Sequence, residues 1–160
     1  MKRQLSSIGR RINHVSNPAR RILVLLAFSF AACQAPQPVA VYGKWVVTEH
    51  VAPGRSSMSS SEADRFRGTS LTYSADQAVL LDRSCAHPRY ERWKLSPRHF
   101  EADYGVAPSR LGITGDSVDV VRIDCTIGGQ AAGSELVVVS ADRLIYPTGG
   151  VFFLLSRVAT

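Results

Sequence analysis

The chain has 160 residues, of which 45% are hydrophobic, a length that supports one hydrophobic core. Its net charge of +6 would suit a nucleic-acid-binding protein, but the basic residues are unevenly placed. Six of the 19 Lys and Arg precede position 22, which leaves 13 to balance the 13 Asp and Glu, none of which precedes Cys33. This balance argues against a basic surface that binds the phosphate backbone of DNA or RNA, and we expect no nucleic-acid partner.

The N-terminal segment is basic and then apolar, the order that is typical of a signal peptide. The apolar run covers only positions 22–32. A helix of that length reaches about 16 Å, well short of the roughly 30 Å hydrocarbon core of a bilayer. We therefore expect residues 1–32 to direct export and then to be removed.

The end of this segment, Phe30-Ala31-Ala32-Cys33, resembles the lipobox of bacterial lipoproteins. The resemblance implies that Cys33 is lipidated and becomes the new N-terminus, and that residues 33–40 form a lipidated tether. Gln34 in place of Asp implies an outer-membrane lipoprotein that faces the periplasm of a two-membrane bacterium. Two alternatives stay open, a soluble periplasmic protein and an uncleaved membrane anchor.

The three cysteines fit this interpretation. Lipidation of Cys33 leaves Cys85 and Cys125 as an even pair in an oxidising compartment. A disulfide between them closes a loop of about 40 residues and would contribute about 3–4 kcal/mol. The alternative is a pair of buried free thiols.

Residues 41–160 are expected to form a single β-rich domain. Alternating or β-branched segments predict eight strands, at 41–48, 71–73, 78–81, 90–95, 117–125, 136–139, 144–146 and 151–155. Ser59 and Glu62 have capping-box spacing and predict a helix over 60–67, before Gly68. Ser96-Pro97 predicts the start of a second helix that ends near Gly105. The fold class is therefore mainly β, a small antiparallel barrel or sandwich of seven to eight short strands with two short inserted helices.

The connections carry their own patterns. Ser74-Ala75-Asp76-Gln77 and Ser140-Ala141-Asp142-Arg143 predict the same turn used in two hairpins. Residues 127–134 are rich in glycine and predict a loop. The alternation of apolar and polar residues slips at Val120-Val121, which predicts a bulge or a sharp twist in that strand.

The two ends of the domain carry a further resemblance. Gly43-Lys44-Trp45 near the start, with Arg157 near the end, is similar to the G-x-W…R pattern of the calycin superfamily, which includes the lipocalins. The resemblance implies a barrel in which Trp45 lies beneath the Arg157 guanidinium, a cation–π pair of about 0.5–2 kcal/mol. Such a pair would bring the first and last strands together. The alternative is another small antiparallel fold, such as the META-type domain of other envelope lipoproteins.

No pattern of catalytic or ligand-binding residues stands out. The sequence has no H-E-x-x-H, C-x-x-C, G-x-S-x-G or phosphate-binding glycine motif, so we expect no metal, no cofactor and no catalytic residue. Glu49 and His50 are adjacent in a predicted strand and point to opposite faces. The candidate binding residues are the arginines around one tryptophan, namely Arg89, Arg92, Trp93 and Arg98, which would suit an anion or a partner protein. A solvated face is the alternative.

These observations predict a non-catalytic β domain that binds a protein partner or a small ligand. Its partners would be the membrane, through the lipid anchor, and an envelope protein. A lipocalin-like carrier of a small apolar ligand is the first alternative, and an enzyme of unrecognised class is the second. An open pocket above about 300 Å³ would favour the carrier, and a filled interior would favour a protein-interaction module.

Overall fold

The computed structural model describes residues 40–81, 83–127 and 130–159. Nine strands follow one another in these residues: β1 Gly43–Val51, β2 Ser70–Tyr73, β3 Gln77–Val79, β4 Ser84–Ala86, β5 Arg89–Leu95, β6 Val118–Ile127, β7 Gln130–Val138, β8 Arg143–Thr148 and β9 Val151–Arg157. Two short helices, α1 Ser60–Asp64 and α2 Pro97–Tyr104, and a 3₁₀ turn, Pro108–Leu111, interrupt them. The mainly β class is confirmed, with one strand more than expected. Among the described residues, none of the helices has the length and apolar character that a membrane span requires.

The strands form one antiparallel sheet with the order β4-β3-β2-β1-β9-β8-β7-β6-β5. Every neighbour is a chain neighbour except β1 and β9, so the first and last strands join the two halves. Because neighbours alternate in direction, the edge strands β4 and β5 run the same way. Only two residues separate them, and His87 there has a left-handed φ of 49°. We infer that β4 and β5 are two parts of one broken strand, of which β4 pairs with β3 and β5 pairs with β6.

The curled sheet has a filled interior. Large side chains from strands throughout the sheet pack into one cluster inside the curl, including Trp45, Leu71, Tyr73, Ile123, Leu136, Leu144, Phe153 and Leu155. A second cluster lies where α2 and the 3₁₀ turn cover the outer face of the sheet, with Phe100, Val118, Val120, Val137, Ile145 and Phe152. Most of the apolar area is therefore buried in two layers on either side of the sheet.

The expected bulge at Val120-Val121 is wrong. The register of β6 with both neighbours runs through these residues without a shift. Val121 points into the interior, whereas Val120 packs on the outer face beneath α2. The alternation breaks in the sequence because this half of the strand is buried on both faces. The register shift lies instead in β1, between Val47 and Glu49.

The expected loop over 127–134 is also wrong, because β6 extends to Ile127 and β7 begins at Gln130. The small residues of this stretch pair with β6, and Gly133 lies opposite Asp124. Strand propensity is weak and depends on context, so pairing with the long β6 outweighs the glycine and alanine content.

The predicted caps and turns are present. Ser59 and Glu62 form a capping box, although α1 ends at Asp64 and is shorter than expected. Ser96 Oγ accepts a hydrogen bond from His99 N, and α2 ends at Gly105 with a left-handed φ of 70°. In the two similar turns, Ser74 N donates to Gln77 O at 2.8 Å and Ser140 N donates to Arg143 O at 3.1 Å.

Candidate functional site

Trp45 and Arg157 join the first and last strands. They are paired residues of β1 and β9, and the guanidinium carbon lies 4.1 Å from the indole centroid. Arg157 Nε donates to Ala141 O at 2.7 Å, Nη1 to Tyr42 O at 2.6 Å and Nη2 to Ala40 O at 3.1 Å. All three guanidinium nitrogens thus donate hydrogen bonds to backbone carbonyls. These bonds fix the segment that leads into β1 against the β7–β8 turn. We call this set the Arg157 latch.

Gly43 fits the Arg157 latch because it has no side chain. Its φ is +133°, and a Cβ at this position would overlap Arg157 Nη1. Trp45 is fully buried and donates its indole N–H to Val41 O at 2.8 Å. The glycine, tryptophan and arginine are therefore coupled by packing, which makes the latch a structural feature and not a ligand site.

A disulfide joins Cys85 of β4 to Cys125 of β6, with the two Cα atoms 5.8 Å apart. The bond lies where the chain passes from one edge of the sheet to the other. Tyr90 of β5 supports the same junction, because its hydroxyl donates to Ser74 O at 2.8 Å. At this junction the two edges of the sheet are therefore linked by side chains, in place of a continuous row of backbone hydrogen bonds.

The candidate binding residues of β5 and α2 are divided between surfaces. Arg89 and Trp93 lie on the outer face, since Trp93 pairs with Val120. The Arg92 side chain lies on the opposite face, where its Nη2 forms an ion pair with Asp119 Oδ2 of β6 at 3.1 Å. Arg98 is exposed on α2. The structure therefore places Arg92 away from Trp93, and the four residues do not share one face.

An open groove lies on the outer face, between the end of α2 and the β8–β9 turn. Its volume is about 490 Å³. Strands β6, β7, β8 and β9 and α2 supply the lining, which includes Asp103, Tyr104, Arg122, Ser134, Glu135, Pro147, Gly149, Gly150 and Phe152. It combines charged groups, aromatic rings and open backbone.

The groove lies where β7 and β8 part. Their pairing covers only Val137↔Ile145 and Val138↔Leu144. Beyond Val137, β7 stays paired with β6 to its first residue, and β8 stays paired with β9 to Thr148. The two hairpins therefore diverge and leave a gap in the middle of the sheet.

A connected set of polar side chains borders this gap. Tyr104 Oη donates to Glu135 Oε2 at 2.6 Å, and Arg122 Nη2 donates to Glu135 Oε1 at 3.1 Å. Arg122 also lies over Trp93, 5.0 Å from the ring centroid. Burial, reinforced by the hydrogen bond to Glu135, raises the pKa of Tyr104 well above its ordinary value. Tyr104 is therefore a neutral donor at physiological pH.

The backbone of Ser134 borders the groove, but its side chain lies on the interior face of the sheet, because Ser134 pairs with the interior residue Ile123. Its hydroxyl is buried there without a hydrogen-bond partner among the described residues, so it takes no part in the groove. The nearby Gly149 and Gly150 form a tight turn with φ of 57° and 80°, and Ser57 N donates to Gly149 O at 2.8 Å.

Ionisable side chains also gather around α1, outside the groove. In the part of the chain that the structure describes, no three His, Cys, Asp or Glu residues gather as a metal site would require. His50 Nδ1 lies 3.6 Å from Asp64 Oδ1, which is itself 3.4 Å from Arg67 Nη2. This arrangement is that of a surface ion-pair group at α1.

Sequence reasoning missed the groove residues Tyr104, Arg122, Glu135 and Pro147. One local signal was available, because a proline inside a strand pattern marks an edge or a break in pairing. The polar set gave no signal, since its members lie far apart in the chain and meet only in the fold.

Comparisons with protein-family models, with curated proteins and with solved structures find no match for this chain. The similarity to calycins thus remains a resemblance carried by Gly43, Trp45 and Arg157.

Proposed function

We propose that this protein is an exported outer-membrane lipoprotein, anchored through Cys33, whose β domain binds a partner protein in the periplasm through the groove beside α2. The chemistry of the site is non-catalytic. The observation that carries the proposal is the contrast between a filled interior and an open outer groove, because a filled interior leaves only the surface for binding.

Export is supported by the basic and apolar segment before Cys33 and by the Cys85–Cys125 disulfide. Structural disulfides persist in oxidising compartments and are rare in the cytosol. Labelling of cells with a fatty-acid analogue should mark the protein, and Cys33→Ser should abolish the label. Undiminished labelling of that variant would contradict lipidation at Cys33.

Partner binding is supported by the composition of the groove. Its rim combines the half-buried ring of Tyr104 with the Arg122–Glu135 pair, and protein interfaces are enriched in aromatic residues and arginine. The polar set is prearranged, which lowers the cost of ordering side chains on association.

Photo-crosslinking in intact cells tests this function. A photoreactive amino acid in place of Asp103 at the groove should give a defined protein adduct. The matched control replaces Asp76, which is exposed in the β2–β3 turn and outside the groove. Identical adducts from both positions, or no adduct from Asp103, would contradict a partner site at the groove.

A carrier of small ligands is the second candidate, favoured by one observation. The groove of about 490 Å³ lies within the usual size range of small-molecule pockets. It lies outside the curl, however, and not in an apolar cup. Mass spectrometry of the native protein would distinguish the two, since a carrier retains a defined small molecule and an interaction module does not.

A further inference from the structure

The backbone of β7 presents hydrogen-bonding groups to the groove. Val139 N donates to Arg143 O at 3.1 Å across the β7–β8 turn. Alternate residues of a strand direct their backbone groups to the same neighbour, so Val137, Glu135 and Gly133 also face β8. Since pairing with β8 ends at Val137, no strand among the described residues lies opposite the N–H and C=O groups of Glu135 and Gly133. Such a row of groups is a template for an added strand.

The opposite wall of the groove explains why the sheet opens there. By the same alternation from Arg143, residues Ile145 and Pro147 of β8 face β7. Pro147 follows Ile145 as the next residue that would bond to β7, but proline has no N–H. The ladder loses a donor at that point, and β8 contributes only the Pro147 carbonyl to the groove.

From this geometry we propose that the groove takes up a short extended segment of the partner protein as an additional strand between β7 and β8. The proposal rests on the function proposed above and names its mode of binding. The free stretch of β7, from Gly133 to Leu136, spans about 13 Å and accommodates about four residues of the segment. The segment runs antiparallel to one wall and parallel to the other, because β7 and β8 are themselves antiparallel.

The side chains around the gap define the chemistry of this segment. Tyr104 offers ring surface to apolar side chains on the outer face, whereas Phe152 beside it is buried. Asp103 and Glu135 supply two carboxylates against the single guanidinium of Arg122, which already pairs with Glu135. This leaves one carboxylate in excess, so the segment carries a lysine or arginine next to Asp103.

A phage-displayed heptapeptide library, selected on the full-length protein, provides the probe. Enriched peptides should contain apolar residues with a Lys or Arg. Hydrogen exchange should show that a bound peptide slows the amides of Gly133 and Glu135. Pro147→Val restores the missing N–H and lets β8 close onto β7, so it should weaken peptide binding by about tenfold or more. Pro53→Val makes the same replacement outside the sheet and should leave binding unchanged.

The failures of the two proposals are distinguishable. If peptides bind at the groove but Pro147→Val binds them equally well, and Glu135 gains no protection, strand insertion is wrong while the binding site stands. If no peptide is enriched over the starting library and the Asp103 crosslink is also absent, both are wrong. Should Pro147→Val fold poorly, Asp103→Asn provides the second variant, because it removes the carboxylate that the basic residue of the segment contacts. Unchanged peptide affinity and amide protection in that variant would likewise overturn the proposal.

Discussion

Arg157→Lys should destabilise the domain although it preserves the positive charge. The guanidinium holds the carbonyls of Ala141, Tyr42 and Ala40 with three separate nitrogens. A lysine has a single terminal nitrogen on a flexible chain and cannot reproduce this fork or its flat contact with Trp45.

The size of the effect follows from the bonds that are lost. A hydrogen bond from a charged donor contributes about 1.5–3 kcal/mol, and the cation–π contact about 0.5–2 kcal/mol. The hydrogen bond to Ala141 is exposed, so we place its contribution at the low end of the roughly 1.5–3 kcal/mol range. With two of the three bonds and part of the stacking lost, we expect the free energy of unfolding to fall by about 3 kcal/mol.

Urea denaturation followed by tryptophan fluorescence measures this loss. With a slope of about 1–3 kcal/mol per molar urea, the midpoint should fall by about 1–3 M. Arg110→Lys is the control, because Arg110 is exposed on the 3₁₀ turn, and it should change stability by less than about 0.5 kcal/mol. A midpoint for Arg157→Lys equal to that of the control would refute the structural role of the Arg157 latch.

Three further predictions concern other parts of the domain. Gly43→Ala should cost about 1–3 kcal/mol in thermal unfolding, because its φ is +133° and the new Cβ overlaps Arg157, whereas Gly54→Ala has open space and should be neutral or slightly stabilising. Replacing both Cys85 and Cys125 with alanine should cost about 3–4 kcal/mol, and a reductant should then destabilise only the wild-type protein; equal sensitivity to reductant would argue against the bond. Burial, with a smaller effect of Tyr42, raises the pKa of Tyr90 to about 12. The neutral form is favoured in the folded state, so this stability is fully present below about pH 10 and is lost as the pH rises toward 12. Tyr90→Phe should therefore reduce the loss of stability between about pH 10 and pH 12, as measured by urea denaturation at each pH. The same loss of stability in the variant and the wild-type protein would contradict this role of Tyr90.

Local chemistry made much of the fold predictable. The serine–alanine–aspartate turns, the Ser59 and Ser96 caps and the Gly105 stop involve residues within a few positions of one another, and the structure contains each of them. The pairing of Trp45 with Arg157 followed from a resemblance at the two ends of the chain. Strand β4 escaped prediction because three residues carry too little alternation to be recognised.

The candidate site was harder to predict because it depends on register. Pro147 opens the sheet only because its backbone faces β7, which is decided by the β8–β9 pairing. Tyr104 and Glu135 are 31 positions apart and meet because α2 folds back onto β7. The arginines of β5 attracted notice as a cluster in the sequence, yet the pleat sends Arg92 and Trp93 to opposite faces.

The parting of β7 and β8 is tested most directly by amide hydrogen exchange along β7 in the free protein, measured by NMR. Ser134 and Leu136 direct their N–H groups to β6, and Val137 pairs with β8, so these amides should be protected. Gly133 and Glu135 face the groove, where the described part of the chain places no strand opposite them. Their amides should therefore exchange much faster, which gives an alternating pattern within one strand. Equal protection of Glu135 and Leu136 would mean that β8 closes onto β7 in solution, and it would contradict the binding groove.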